Sequence, residues 1–406
     1  MHRPLRTTTA LTLTLIAAAL ALAACDRAAP AKRGIGTPTW KQGEAPVASA
    51  GLTVSKLATG LMHPRALYPL PNGDILIVEA TGPAVPVLRP KDLLAPPAGP
   101  AGKGGRITLV RPGVDGGAAQ QTVLLENLAA PGGVALVGTD LYVAQADALL
   151  RYPYNTGDTR ITAPGKKVAD LPAGPLNRHW TRSLLASEDG TRLYVGVGAA
   201  SDVGENGMDL EKNRAAILEV DRATGAVRTF ASGLRDPNAM QWEPHSLAMW
   251  TVVNERDVTV DYLTSVRQGG FYGWPYSYNG ATPDPRAMPQ RLELAARAIA
   301  PDYPLAMHRA PLGLAFNNPA STMPPALRDG AFIGQQFRAD RSVAGGYKVV
   351  FVPFADGKPA GPPVDVVTGF LDKGRPVGLT MDHRGALLIA DDVGNTVWRV
   401  SGPPLK

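Results

Sequence analysis

Apolar and polar positions along this chain fall into one pattern that recurs six times: a turn anchor, a short apolar strand, a Gly or Asp turn, and a second apolar strand. The copies read PRALYPLPNGDILIVEA from Pro64, PGGVALVGTDLYVAQA from Pro131, TRSLLASEDGTRLYVGVG from Thr181 and PNAMQWEPHSLAMWTVV from Pro237. The fifth is PLGLAFNNPA from Pro311, with its second strand delayed to GAFIG from Gly330, and the sixth is PVGLTMDHRGALLIADD from Pro376. Successive anchors lie 67, 50, 56, 74 and 65 residues apart, room for four strands per unit. Copies two, three, five and six also carry a later strand, LLRYPY, AAILEVD, GYKVVFVPF and NTVWRVS. Repeats of this length and strand content are propeller blades. The pattern predicts an all-β chain, a six-bladed β-propeller of four-stranded antiparallel blades around a central channel. Two insertions separate blades: a Pro- and Gly-rich loop from Gly82 to Gly105, and Tyr278 to Leu305, with a helical stretch predicted from Arg291 to Ala300.

The start of the chain breaks the pattern. Arg3 and Arg6 precede an apolar run from Leu11 to Leu22, too short to span a bilayer as a helix and typical of a secretory signal. Leu22-Ala23-Ala24-Cys25 resembles a bacterial lipobox, which implies residues 1–24 as a lipoprotein signal peptide and a lipidated Cys25. The expected location is the periplasm, with the chain anchored to a membrane. Cys25 is the only cysteine, so the mature chain is expected to hold no disulfide. Ala, Pro, Gly and Lys dominate the segment up to Ala50, so residues 25–50 read as a flexible tether and 51–406 as the propeller. The formal charge of +6 comes with no Lys/Arg tract and no nucleic-acid module, so no nucleic-acid partner is expected.

Candidate chemistry gathers at the anchors. Beside them stand His63 and Arg65; Arg178, His179 and Arg182; Arg235 and Asp236; His308 and Arg309; and Lys373 and Arg375, while blade two offers only Ala129 and Ala130. Equivalent slots of a radial repeat converge on one mouth of the channel. Cations crowded there repel unless an anion sits among them, which implies a small ligand with several negative charges. The other reading has these arginines capping turns and pointing outward. His179 is the candidate general base, since imidazole titrates nearest neutral pH and flanking arginines favour its neutral form. His308 occupies the same kind of slot and is the rival; His245 and His383 sit in strand-to-strand turns and read as solvated.

The stretch from Gly233 to Tyr278 joins the Arg235-Asp236 turn, an acidic cluster (Glu255, Asp257, Asp261) and the aromatic-glycine run GGFYGWPYSY. That run reads either as a tightly turned strand pair or as flat faces for a flat ligand. The chain has no C-x-x-C-H, no Rossmann glycine fingerprint, no Walker loop and no G-x-S-x-G, so covalent haem, nicotinamide, nucleotide and serine-hydrolase readings lack support.

NRHWTRSLLASEDGTRLYVGVG, GLRDPNAMQW, VVNERD, DYLTSV, GGFYGWPYSY, GYKVVFVPF and RPVGLTMDHRGALLIADDVGNTVWRVSG together resemble the sorbosone dehydrogenase family, across about Gly51 to Gly402. That family is similar to the soluble pyrroloquinoline-quinone (PQQ) glucose and aldose sugar dehydrogenases. The resemblance implies PQQ at the axial mouth, Ca2+ bound to the quinone, and oxidation of a sugar hydroxyl or aldehyde hydrate. Electrons would pass to an external acceptor, a quinone or cytochrome c. By motif, His179 matches the base, with Arg235 contacting the quinone as a second catalytic residue. Lys373 and Arg375 match a basic pair facing the cofactor carboxylates, and Arg182, Asn238 and Arg341 complete the expected cofactor set. Two departures stand out: Asp236 replaces the usual Asn, and Arg256-Asp257 replaces a calcium-binding Gly-Pro pair. Glu255 and Asp257 are the candidate metal ligands. Two alternatives share this fold: a calcium-dependent lactonase using Glu255, Asp257 and Asn238, and a non-catalytic binding lipoprotein.

Overall fold

The structure, a computed structural model, describes residues 40–80, 104–113, 119–174, 177, 179–255, 259–307, 309–317, 321–336, 347–371 and 373–403. Six four-stranded antiparallel sheets follow one another along the chain. Blade one comprises Pro64–Pro69, Ile75–Glu79, Gly105–Arg111 and Gln120–Leu128. Blade two comprises Gly133–Val137, Asp140–Ala144, Ala148–Pro153 and Lys166–Asp170. Blade three comprises Arg182–Ala186, Arg192–Val197, Ala216–Asp221 and Val227–Ser232. Blade four comprises Pro237–Trp242, Met249–Val253, Val260–Ser265 and Tyr303–Met307. Blade five comprises Pro311–Phe316, Gly330–Gln335, Lys348–Ala355 and Val364–Thr368. Blade six takes Pro376–Met381, Leu387–Asp391 and Thr396–Ser401 from the end of the chain and Thr53–Thr59 from its start. The six predicted blades are all present, and the chain ends close the ring by strand pairing.

The first strands of the six blades neighbour one another in blade order, and the sixth returns to the first. They enclose an axial cavity of about 420 Å³. Each second strand is sandwiched by the blades on either side, which is why ILIVE, MWTVV and LLIAD are buried along their whole length. Outer strands such as Gln120–Leu128 face water on one side and are half polar. The apolar cores accordingly lie between blades, as in the cluster of Trp250, Val252, Leu263, Leu314, Ile333 and Val350 that joins blades four and five.

The anchors share a local device. His63, Ala130 and Ala310 precede Pro64, Pro131 and Pro311 with φ of 52°, 47° and 42°. A left-handed non-glycine residue costs roughly 1–2 kcal/mol, so something must hold each turn. A buried acceptor from the same blade or the one before it does so. Glu79 accepts the Met62 N–H, Gln145 accepts that of Ala129 at 2.5 Å, and Asp261 accepts those of Arg309 and Ala310 at 2.7 and 2.8 Å. In blade six Asp391 accepts the Arg375 N–H at 2.7 Å.

Two expectations change. Residues 40–50 belong to the folded unit rather than to a tether. Val47–Ala48 pairs with the outer strand of blade five. Trp40 is buried edge-on against Trp398 and Phe370, with centroids 5.1 and 5.8 Å away. Its indole carries the apolar area that the surrounding Ala, Pro and Gly residues lack. The helix predicted from Arg291 to Ala300 reduces to the single turn Leu292–Ala295, because the chain then bends to let the Ile299 N–H reach the Phe271 carbonyl at 2.7 Å. The loop expected from Gly82 to Gly105 and the segment through Cys25 lie outside the described residues, apart from Gly104 and Gly105.

Candidate active site

The turns before the inner strands bring His179, Arg235, Asp236, Arg65 and Arg375 to one end of the channel. His179 is 7% exposed. Its Nδ1 lies 2.7 Å from the Ala199 carbonyl oxygen. A carbonyl only accepts, so Nδ1 carries the hydrogen and donates it. This leaves Nε2 with its lone pair, and Nε2 is buried with no hydrogen-bond partner. Burial holds the imidazole down to about 4, with the nearby Arg235 charge adding to that and Asp236 opposing it. The neutral state expected from flanking arginines is therefore produced first by desolvation.

Asp236 reaches His179 over Gly198. A Cβ at Gly198 would lie 2.4 Å from His179 Cβ and 2.6 Å from Asp236 Oδ1, so only glycine lets the two side chains meet there. Asp236 is buried and accepts from Asn254 Nδ2 at 3.3 Å. Arg235 is fully buried; it donates to the Asn254 carbonyl at 3.0 Å and to Asp202 Oδ1 at 2.5 Å, and its Nε has no partner. Across the blade six to blade one seam, Asp392 is fully buried. It accepts two hydrogen bonds from Arg375, at 2.6 and 2.5 Å, and one from Arg65 Nη1 at 2.9 Å. Arg65 lines the channel and stacks 4.9 Å above the Trp180 ring, next to His179. His63 Nδ1 lies 2.8 Å from the Asp392 carbonyl.

The aromatic-glycine run walls this site rather than offering ring faces. The Tyr272 N–H donates to Ser232 O at 2.9 Å and the Trp274 N–H to Gly233 O at 3.1 Å, tying the run to the Arg235 turn. The Tyr272 hydroxyl donates to Ser265 O, and the Trp274 indole to Asp202 O at 2.9 Å. Trp274 packs on Ala199 and Ala215 and so braces the carbonyl that orients His179.

Several sequence-predicted residues do not join. Arg182 is fully buried and donates from its two terminal nitrogens to the carbonyls of His179, Thr181 and Pro172 and to Asn177 Oδ1, while its Nε has no partner, so most of its guanidinium is committed to the turn. Lys373 turns to Glu44 Oε1 at 3.1 Å and sits over the Trp40 ring, apart from Arg375. Asn238 does line the channel, its amide donating to the Asp236 carbonyl at 3.0 Å. The Glu255 N–H is held by Asp261 at 2.7 Å. Among the described residues no group of three or more His, Cys, Asp or Glu is placed to hold a metal. Arg178, Asp257, His308 and Arg341 lie outside the described residues.

The expected crowd of unbalanced cations is also corrected. The fold supplies Asp392 to Arg65 and Arg375, and Asp202 to Arg235. Asp392 was legible in the sequence only as part of LLIADD. Its partner Arg65 lies 327 residues away, and no local pattern reports such a pair.

Comparison with known proteins finds the same fold in several solved structures. Residues 106–269 match the family model described as TrAA12-like. An uncharacterized protein of Borreliella burgdorferi is 25% identical over 244 residues, which span 57% of this chain and 62% of that protein. The iodide structure of the Trichoderma reesei carbohydrate-active enzyme of family AA12 superposes with a TM-score of 0.70 at 22% identity, covering 88% of this chain and 98% of that one. The holo form of the pyranose dehydrogenase PQQ domain from Coprinopsis cinerea gives 0.70 at 17%, covering 88% and 97%. The PQQ-bound aldose sugar dehydrogenase of Streptomyces coelicolor gives 0.60 at 17%, covering 88% and 99%. What this chain shares with the three solved structures, over 88% of its length, is the propeller fold.

Proposed function

We propose that this chain is a PQQ-dependent sugar dehydrogenase, oxidising an aldose or a sugar aldehyde of the L-sorbosone kind. The observation that carries the reading is His179: buried, neutral, fixed in one tautomer, with Nε2 unpartnered beside an equally unpartnered Arg235 Nε. A buried polar atom left unsatisfied costs about 1–3 kcal/mol, so a ligand group that reached Nε2 or Arg235 Nε would be favoured there. On this count the residues fit PQQ. Arg375 and Arg235 would hold it, and the PQQ domain of the Coprinopsis cinerea pyranose dehydrogenase and the PQQ-bound aldose sugar dehydrogenase, which share the fold, support the same reading. Bound PQQ supplies a quinone carbon that accepts a hydride. His179 Nε2 takes the proton of the substrate hydroxyl, Ala199 O keeps the ring aligned, and Asp236 stabilises the imidazolium that results. Ca2+ stays an expectation of the resemblance. Electrons would leave to an external quinone or cytochrome c.

Reconstitution tests this. Protein incubated with PQQ and CaCl2 is expected to gain a bound quinone absorbance and to reduce an artificial dye with an aldose or L-sorbosone. Absence of both overturns the proposal, and lactone hydrolysis without PQQ would move the assignment to the lactonase alternative. On its sequence alone, we also propose that the chain is lipid-anchored in the periplasm through Cys25. Cys25→Ser is expected to release it from the membrane fraction, and unchanged anchoring would refute the idea.

A further inference from the structure

We propose that Arg65 and Arg375 grip one carboxylate of the bound ligand together, as a two-arginine clasp whose spacing Asp392 sets. This rests on the PQQ reading and adds a binding residue to it. The two guanidinium groups come from different blades and meet only through Asp392, Oδ2 of which accepts from both. Asp392 is fully buried, whereas the Arg65 and Arg375 side chains keep 14% and 25% of their surface open. Each guanidinium carries five N–H donors. One from Arg65 and two from Arg375 point at Asp392, which leaves donors on both for an incoming anion. Other carboxylates act on the pair from outside the clasp: Asp391 accepts the Arg375 N–H and acts on its charge, and Asp236 acts on Arg65 as well as on His179 and Arg182. Burial pushes the Arg65 guanidinium down, Asp392 opposes this and the Arg375 charge adds to it, whereas Arg375 itself, against its own burial, is raised by Asp392; an anion on the open donors would therefore favour charged Arg65 above all. Stacking on Trp180 fixes the Arg65 plane at the channel wall, beside the base. Asp392 acts only through the two arginines and is a positioning residue.

The carboxylate could belong to PQQ or to an acidic sugar, and one variant series separates the sources. Arg65→Gln leaves Asp392 with both of its Arg375 hydrogen bonds, so the fold is expected to survive. Titrating the apo-protein with PQQ, followed by absorbance, is expected to show affinity weakened roughly tenfold or more, partly restored in Arg65→Lys, with the apo melting temperature nearly unchanged. Unchanged PQQ affinity with a raised KM for a uronic acid, but not for a neutral aldose, assigns the clasp to substrate. No change in either, or a change only in melting temperature, overturns the clasp and leaves a structural ion pair. Wild-type protein that binds no PQQ would sink the functional reading instead. The clasp is then read from thermal shift with citrate: a shift in wild type that Arg65→Gln lacks supports it, and equal shifts refute it.

Discussion

His179→Ala is expected to lower turnover by roughly a hundredfold to ten-thousandfold, the usual share of a general base, while fold and PQQ affinity stay near wild type. The loss falls on turnover because Nε2 touches only the reacting hydroxyl in the proposed mechanism, and the arginines that would hold the cofactor remain. The pH profile provides a second check. With the imidazole held down to about 4 by burial, kcat/KM is expected to stay level through neutral pH and to fall only as pH approaches that value. The stability sign follows from the same shift. The unfolded His179 titrates near 6.5 and the folded one lower, so its contribution to stability is full above about 6.5 and is lost as pH falls toward about 4. A variant that keeps near-normal turnover once saturated with PQQ would remove His179 from the mechanism. A loss of melting temperature without loss of turnover would make it a structural residue.

Trp40→Ala is expected to destabilise the propeller by about 3–5 kcal/mol, the range for emptying a buried tryptophan site, and to lower the melting temperature by roughly 4–7 °C. Trp40 fills the gap between Trp398 and Phe370, and its indole N–H donates to Asp391 Oδ2 at 2.6 Å. Asp391 is fully buried and also accepts from Trp398, Gly394 and the Arg375 N–H. Emptying the Trp40 site therefore loosens the backbone from which Arg375 projects, and PQQ affinity is expected to weaken along with stability. Trp40→Phe keeps the ring and loses one donor of four, so about 1 kcal/mol is expected. Chemical denaturation of the three proteins reads this order directly. Equal stability of Trp40→Ala and wild type would return residues 40–50 to the status of a tether.

The repeat of anchors and apolar strands determined the six blades by itself, because strand period and turn chemistry are local and the middle strands must be apolar on both faces. It also put His179 in a slot at the channel mouth. Periodicity could not say which basic residues stay available. Arg182 and Arg65 look alike beside their anchors, yet one turns its guanidinium to four backbone and amide oxygens while the other faces the channel over Trp180. The carbonyls at hand decide that, and they are not in place until the turn is folded. The carboxylates that balance the mouth were out of reach for a related reason. Asp392 meets Arg65 across 327 residues of chain and Asp202 meets Arg235 across 33, pairings that exist only once the ring closes on itself. Trp40 is the extreme case: one aromatic residue in a low-complexity segment carries no period, and its place between blades five and six follows only from the gap that Trp398, Phe370 and Asp391 leave for it.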